Sequence, residues 1–130
     1  MGMQSRFRAL EVAIQLAEVL GPSLALLKSK NKDLADQCKR ALQSVALNLA
    51  EGSRSLGGNR GRAFSVAAGS VEEVVAALRV AHAFGEIPAA IVSRIDPMVD
   101  ELRRLLWGLT HPVEGRDRPS KPDPDPADPR

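Results

Sequence analysis

The sequence predicts an all-α protein, an antiparallel up-down-up-down four-helix bundle, and three observations carry that prediction. Apolar residues recur at intervals of three and four in four separate stretches, no stretch alternates apolar with polar residues as a half-buried strand would, and the connecting segments are short. Composition agrees: 44% of residues are hydrophobic, yet 3% are aromatic and Tyr is absent, so the core is built from Ala, Val, Leu and Ile, which suits closely packed helices. A chain of 130 residues is long enough for one domain with a stable core and too short for two ordinary ones.

The first helix is expected from the spacing of Phe7, Leu10, Ile14, Ala17, Leu20, Leu24 and Leu27. A second row, Val12, Leu16, Val19 and Leu26, runs beside it, so the helix is apolar over more than the single seam a monomeric bundle needs and asks for a partner. Gly21-Pro22 interrupts the run and predicts a kink or a restart, because proline lacks a donor and clashes with the preceding turn. Asp33 is the expected N-cap of the second helix, which buries Leu34, Cys38, Ala41, Leu42, Val45 and Leu49 and is expected to end at Gly52 in the left-handed conformation.

Residues 53–61 hold three glycines and two arginines without periodicity and read as a loop, with Asn59 a cap for a third helix opening at Arg62. That helix carries Phe64, Ala67, Ala68, Val71, Val74, Val75, Leu78 and Ala81, and Gly85 and Pro88 close it and start the next. The fourth helix presents Ile87, Ile91, Ile95, Met98, Leu102, Leu105 and Leu109, flanked by Val92, Val99 and Leu106. Pro97 sits inside it, and is expected level with Pro22 so that matched kinks keep the helices in contact. Residues 112–130 contain six prolines among alternating charges and bury no apolar surface; the bundle is therefore assigned to 1–111 and 112–130 to a disordered Pro/Asp-rich tail.

Charge is spread unevenly: residues 1–111 carry 14 basic and 11 acidic side chains, residues 112–130 carry 4 and 5. So small an excess argues for solubility, and nucleic-acid binding has to rest on clustering. Cys38 is the only cysteine, which excludes an intramolecular disulfide and a multi-cysteine metal site; on an apolar helix face it reads as a small core residue. No signal-peptide pattern and no stretch of about 18 uninterrupted apolar residues is present, so no membrane partner and a cytoplasmic, bacterial-type protein are expected.

One stretch has a recognisable spacing: Gln37, Arg40, Ala41, Ser44, Val45, Asn48, Leu49, Ala50, Glu51 and Gly52, then Phe64, Ala67, Gly69, Ser70, Val71 and Glu73. It resembles the bacterial four-helix-bundle family of proteins encoded in intervening sequences of 23S ribosomal RNA genes, a family related to the accessory variability determinant protein of diversity-generating retroelements. The resemblance implies a homopentameric barrel of bundles without enzymatic activity, whose retroelement relatives bind a reverse transcriptase and nucleic acid through basic surface. The first helix departs from the family pattern in lacking aromatic residues, and the Pro-rich tail departs as well.

Candidates for chemistry are few. Asn48 and Ser70 lie beside the apolar stripes of consecutive helices and are expected to meet as a polar pair that fixes register. Gly69, in mid-helix at a cost of about 1 kcal/mol relative to Ala, suggests a close helix approach. Glu51, Glu72 and Glu73 invite comparison with carboxylate-bridged di-metal bundles, but neither His82 nor His111 follows a glutamate by three, so no metal and no cofactor is expected. Acyl transfer lacks a base beside Ser44, Ser70 or Cys38, and Trp107 reads as a cap over the bundle end or a subunit contact.

The arginines are the one constellation above background. In an antiparallel bundle Arg6, Arg8, Arg54, Arg60, Arg62, Arg103 and Arg104 gather at one end, offset by Glu11, Glu51 and Glu101. The expected function is accordingly a non-enzymatic, homo-oligomeric binding or scaffold module with RNA, DNA or a nucleoprotein such as a reverse transcriptase complex as partner. The alternative is a purely structural or protein–protein adaptor assembly that binds no nucleic acid.

Overall fold

In a computed structural model, residues 2–112 are described, with side chains from residue 4 onward. Four helices make up the described residues, with no strand among them: α1 (Gly2–Lys30), α2 (Lys32–Arg54), α3 (Gly58–Ala83) and α4 (Ala89–Thr110). The Pro/Asp-rich segment from residue 113 on lies outside the described residues. Each helix packs on its sequence neighbours, α1 also packs on α4, and the α2–α3 contact is the most extensive. One continuous apolar core runs from Ala9 to Leu106, the packing of a four-helix bundle.

The register of α1 differs from expectation. Val12, Leu16, Leu20 and Leu27 are fully buried together with Ala9 and Ala13, whereas Phe7 and Ile14 are 58% and 49% exposed. Both rows are helical in period, and periodicity alone does not say which of two adjacent rows faces inward; the partner helices decide it. By length and hydropathy α1 is apolar enough to cross a membrane over Gln4–Lys30, and its buried row packs into the bundle core. The helix continues through Gly21-Pro22 without a restart; Pro22 and Glu18 are both exposed, so water can take the carbonyl that proline leaves unpaired.

Asn31, not Asp33, caps α2: its side chain accepts from Leu34 N at 3.1 Å, and its Nδ2 donates to Glu86 Oε1 at 3.0 Å, which joins the α1–α2 turn to the α3–α4 turn. Gly52 does not end α2. The helix runs on to Arg54, and Gly52 is a buried helical residue. α3 starts four residues earlier than expected, at Gly58 after Gly57 at φ 62°, so Asn59 lies in its first turn rather than at its cap. Its C-terminus does take the expected glycine: Gly85 has φ 73°, and Glu86 N donates to Ala81 O at 2.9 Å in a Schellman closure.

In α4 the fully packed row is Ile95, Val99, Leu102 and Leu106, with Ile91, Met98, Leu105 and Leu109 half-buried beside it. Arg8 of α1 meets Glu101 of α4. Pro97 is four residues from Glu101 whereas Pro22 is fourteen from Arg8, so the two prolines are out of level by at least ten residues, or ~15 Å of helix. The expectation of matched proline kinks fails because it measured both positions from loops and ignored how far the helices are staggered.

Candidate nucleic-acid interface

Two arginines of the predicted cluster are spent within the bundle. The Arg8 guanidinium grips Glu101 through Nε at 2.7 Å and Nη2 at 2.9 Å, with Glu11 further off at 3.9 Å. Arg103 grips Glu72 of α3 at 2.8 and 2.6 Å and has Asp100 at 3.8 Å. These hydrogen bonds hold both glutamates below the usual carboxylate range and raise both arginines. Both forks are bidentate and cross between helices, so they orient α4 against α1 and α3.

The others are placed differently. Arg54 lies 3.5 Å from Glu51 on an exposed turn, a weak pair. Arg60 donates from Nε to Ser55 O at 3.0 Å and so holds the α2–α3 connection. Arg6 is half-buried, Arg62 and Arg104 are exposed, and none of the three forms an ion pair among the described residues. Of the seven arginines, Arg54, Arg62 and Arg104 are thus the exposed ones with charge least committed to the fold. Sequence spacing gave no sign of the Glu72 contact, which depends on how α3 and α4 face each other.

The motif residues line the α2–α3 seam. Asn48 and Ser70 do not bond each other; Ser44 stands between them. Ser70 Oγ donates to Ser44 Oγ at 2.8 Å, and Asn48 Nδ2 reaches Ser44 Oγ at 3.1 Å and Ser44 O at 2.9 Å. Ser70 is only 3% exposed, so this bond satisfies a hydroxyl that would otherwise be desolvated alone. A shallow hollow beside it is lined by Gln37, Arg40, Ser44, Ser70 and Glu73. Glu51 serves the end of α2, accepting from Ser55 Oγ at 3.3 Å.

The two motif glycines play opposite parts. A Cβ on Gly52 would lie 2.5 Å from Phe64 Cε1, so the ring of α3 rests directly on the α2 backbone. Around Gly69 nothing lies within 4 Å, and the residue is exposed. The close approach expected at Gly69 within the bundle occurs at Gly52 instead.

A separate groove of about 720 Å³ runs between α1 and α2, with Ile14, Ala17, Gly21 and Ala25 on one wall and Leu42, Ala46 and Leu47 on the other. Leu47 is 68% exposed there, and Lys28, Lys39 and Asp36 form the rim. This apolar surface lies on α1 and α2, whereas the sequence marked extra apolar rows on α1 and, as Val92, Val99 and Leu106, on α4. Leu47 is the residue that sequence reading missed: it lies two positions from both Val45 and Leu49 of the α2 core stripe, off its buried face.

Cys38 is fully buried, and burial pushes its thiol up to about 11, the behaviour of a core residue. Among the described residues no group of three His, Cys, Asp or Glu is placed to hold a metal. Trp107 is exposed and stacks on His111, with ring centroids 4.2 Å apart and planes 10° from parallel.

The family profile described as 23S rRNA-intervening sequence protein matches residues 6–108, which takes in all of α2 and α3 and all but the first four residues of α1 and the last two of α4. No curated protein and no solved structure gives a match.

Proposed function

The chain belongs to the 23S rRNA-intervening sequence protein family, and on that premise we propose that it is a non-enzymatic, homo-oligomeric binding module for nucleic acid or a nucleoprotein. The observation that supports the nucleic-acid part is the placement of the arginines least committed to the fold. Contacts such as Arg8–Glu101, Gly52–Phe64 and Arg103–Glu72 support an antiparallel arrangement. In that arrangement the start of α1, the α2–α3 connection and the end of α4 share one end, where Arg54, Arg62 and Arg104 point charge into solvent.

Three such arginines on one chain give weak binding at physiological salt. Cyclic assembly supports a tighter mode, because every copy of the basic end falls on the same side of a ring and the sites act together. The α1–α2 groove supports assembly: it leaves Ile14 and Leu47 facing water, apolar side chains that a second copy of the chain would cover. The pentamer implied by the family resemblance, a cytoplasmic location and a reverse transcriptase complex as the nucleoprotein belong to the same proposal. A protein–protein adaptor that binds no nucleic acid is the second reading, favoured by the apolar groove alone.

Light scattering at micromolar concentration tests the assembly; a mass near the 13.9 kDa of one chain contradicts it. Fluorescence anisotropy with a labelled RNA and a labelled DNA of equal length tests the partner. Binding of neither leaves the adaptor reading.

A further inference from the structure

Trp107 is 62% exposed, an unusual position for the largest apolar side chain in a protein with so few aromatics. With His111 stacked against it, it forms one wall of a groove of about 360 Å³ between α3 and α4. The opposite wall is the small-residue face of α3, Ala68 and Gly69, with Leu106 between them. Gly69 carries no side chain, and the space above its Cα is empty. A mid-helix glycine costs about 1 kcal/mol relative to alanine, so an open groove floor is a reason for it that packing within the bundle does not supply.

The chain leaves this groove from its own wall. His111 lines it, Pro112 follows, and the sequence goes on as VEGRDRPSKPDPDPADPR, with Pro119 and Pro122, then Pro126 and Pro129, spaced as P-x-x-P. Proline-rich segments are already extended, lose little entropy on docking, and bind grooves walled by aromatic rings. We propose that residues 113–130 dock in the α3–α4 groove, with proline rings packed against Trp107.

Three further facts support that occupant. At about 3.1 Å per extended residue, the six residues between Pro112 and Pro119 span roughly 20 Å, enough to turn back over one helix end. A tether this short gives an effective concentration in the millimolar range, so a contact too weak to detect between separate molecules is populated within one. The segment also carries Asp123, Asp125 and Asp128, and the exposed Arg104, three residues before Trp107 on α4, forms no salt bridge among the described residues and feels Glu101 only at longer range. The competing occupant of an aromatic wall is a nucleobase, but no base is tethered there. This inference stands apart from the nucleic-acid reading, since its test contains no nucleic acid until the final arm.

Trp107 is the only tryptophan and tyrosine is absent, so intrinsic emission reports on this groove alone. The comparison is between the full sequence, a truncation ending at residue 112, which retains the whole core from Ala9 to Leu106, and the full sequence with Pro119, Pro122, Pro124, Pro126 and Pro129 changed to Ala. The full sequence is expected to emit at shorter wavelength and to resist acrylamide quenching about twofold more than either variant, and a peptide of residues 113–130 at millimolar concentration is expected to move the truncation toward the full sequence. Equal quenching of the full sequence and the truncation overturns the proposal. So does a truncation whose emission responds to oligouridylate and not to the peptide, which assigns the groove to a base.

Discussion

The ring of Phe64 lies on the backbone of Gly52: a Cβ added at Gly52 would sit 2.5 Å from Phe64 Cε1 and 2.7 Å from Cδ1. Phe64 is among the largest fully buried side chains, so it has no open direction in which to retreat. Gly52→Ala is therefore expected to destabilise the bundle by about 1–3 kcal/mol through overpacking, despite a helix-propensity gain of up to about 1 kcal/mol. Urea unfolding measures this, and Gly52→Ala combined with Phe64→Leu should recover part of the loss. At Gly69, where no neighbour intrudes, Gly69→Ala is expected to stabilise the isolated bundle.

Ser44 accepts from both Ser70 and Asn48, so its loss strands a buried hydroxyl while the loss of Ser70 does not. Ser44→Ala is expected to cost about 1–3 kcal/mol and Ser70→Ala about 1 kcal/mol or less. The double variant should cost less than the two single losses together, because the second change removes the group that the first left unpaired. Additive losses would show that the hydroxyl pair does not act as a unit.

Much of the fold was legible because α2 and α4 carry clear 3.6-residue rows bounded by the polar residues 29–32 and by Gly85-Pro88, although the cap of α2 is Asn31 and not Asp33. What failed depended on tertiary choice. Ile14 and Val12 occupy adjacent rows of one helix, and only the position of α2 and α4 decides that Val12 goes in. Residues 58–61 lack helix-forming composition, and α3 still extends back through them, placing Arg60 against the Ser55 carbonyl. In the site, the motif spacing pointed to the right seam but to the wrong pair, because a serine one turn from Asn48 reads as unremarkable until the helix crossing brings Ser70 to it. Which arginines stay uncommitted was not legible at all, since Glu72 and Arg103 are 31 residues apart.

Acid should weaken the bundle through two of these pairs. Hydrogen bonds from Arg8 and Arg103 depress Glu101 and Glu72 in the folded state, whereas the unfolded chain titrates near the ordinary glutamate value of about 4.3. The folded state thus binds fewer protons in that range, and the contribution is fully present above about pH 4.3 and lost as pH falls through the lower folded values. Both pairs are largely exposed, so the Arg103–Glu72 share is expected below about 1 kcal/mol. In thermal melts between pH 7 and pH 3, Arg8→Gln with Arg103→Gln should flatten the acid limb; an unchanged limb assigns acid sensitivity elsewhere.

Cys38 should be silent in the folded protein. With its thiol pushed up to about 11 and its side chain buried, a disulfide reagent at pH 8 is expected to label it only as fast as the chain opens, and at once in denaturant. The raised value stabilises the fold below the unfolded thiol value of about 8.5, and that contribution falls as pH rises from there toward 11. Rapid labelling without denaturant would contradict the packed α1–α2 core.

The account rests on phosphate recognition by the exposed arginines at the bundle end, and the most direct measurement is the salt dependence of RNA affinity. The comparison is between the parent and a variant with Arg54, Arg62 and Arg104 changed to Gln. Arg60 is left in place because it holds the loop, and the oligomer mass is checked for both. Single-stranded binding loses about 0.7 in the slope of log affinity against log salt for each phosphate contact removed. The parent is expected to show a steep negative slope and the variant one shallower by about 2 per engaged subunit, with weaker affinity at every salt concentration and unchanged mass. A parent whose affinity does not depend on salt, or a variant whose titration superimposes on the parent's, contradicts the account.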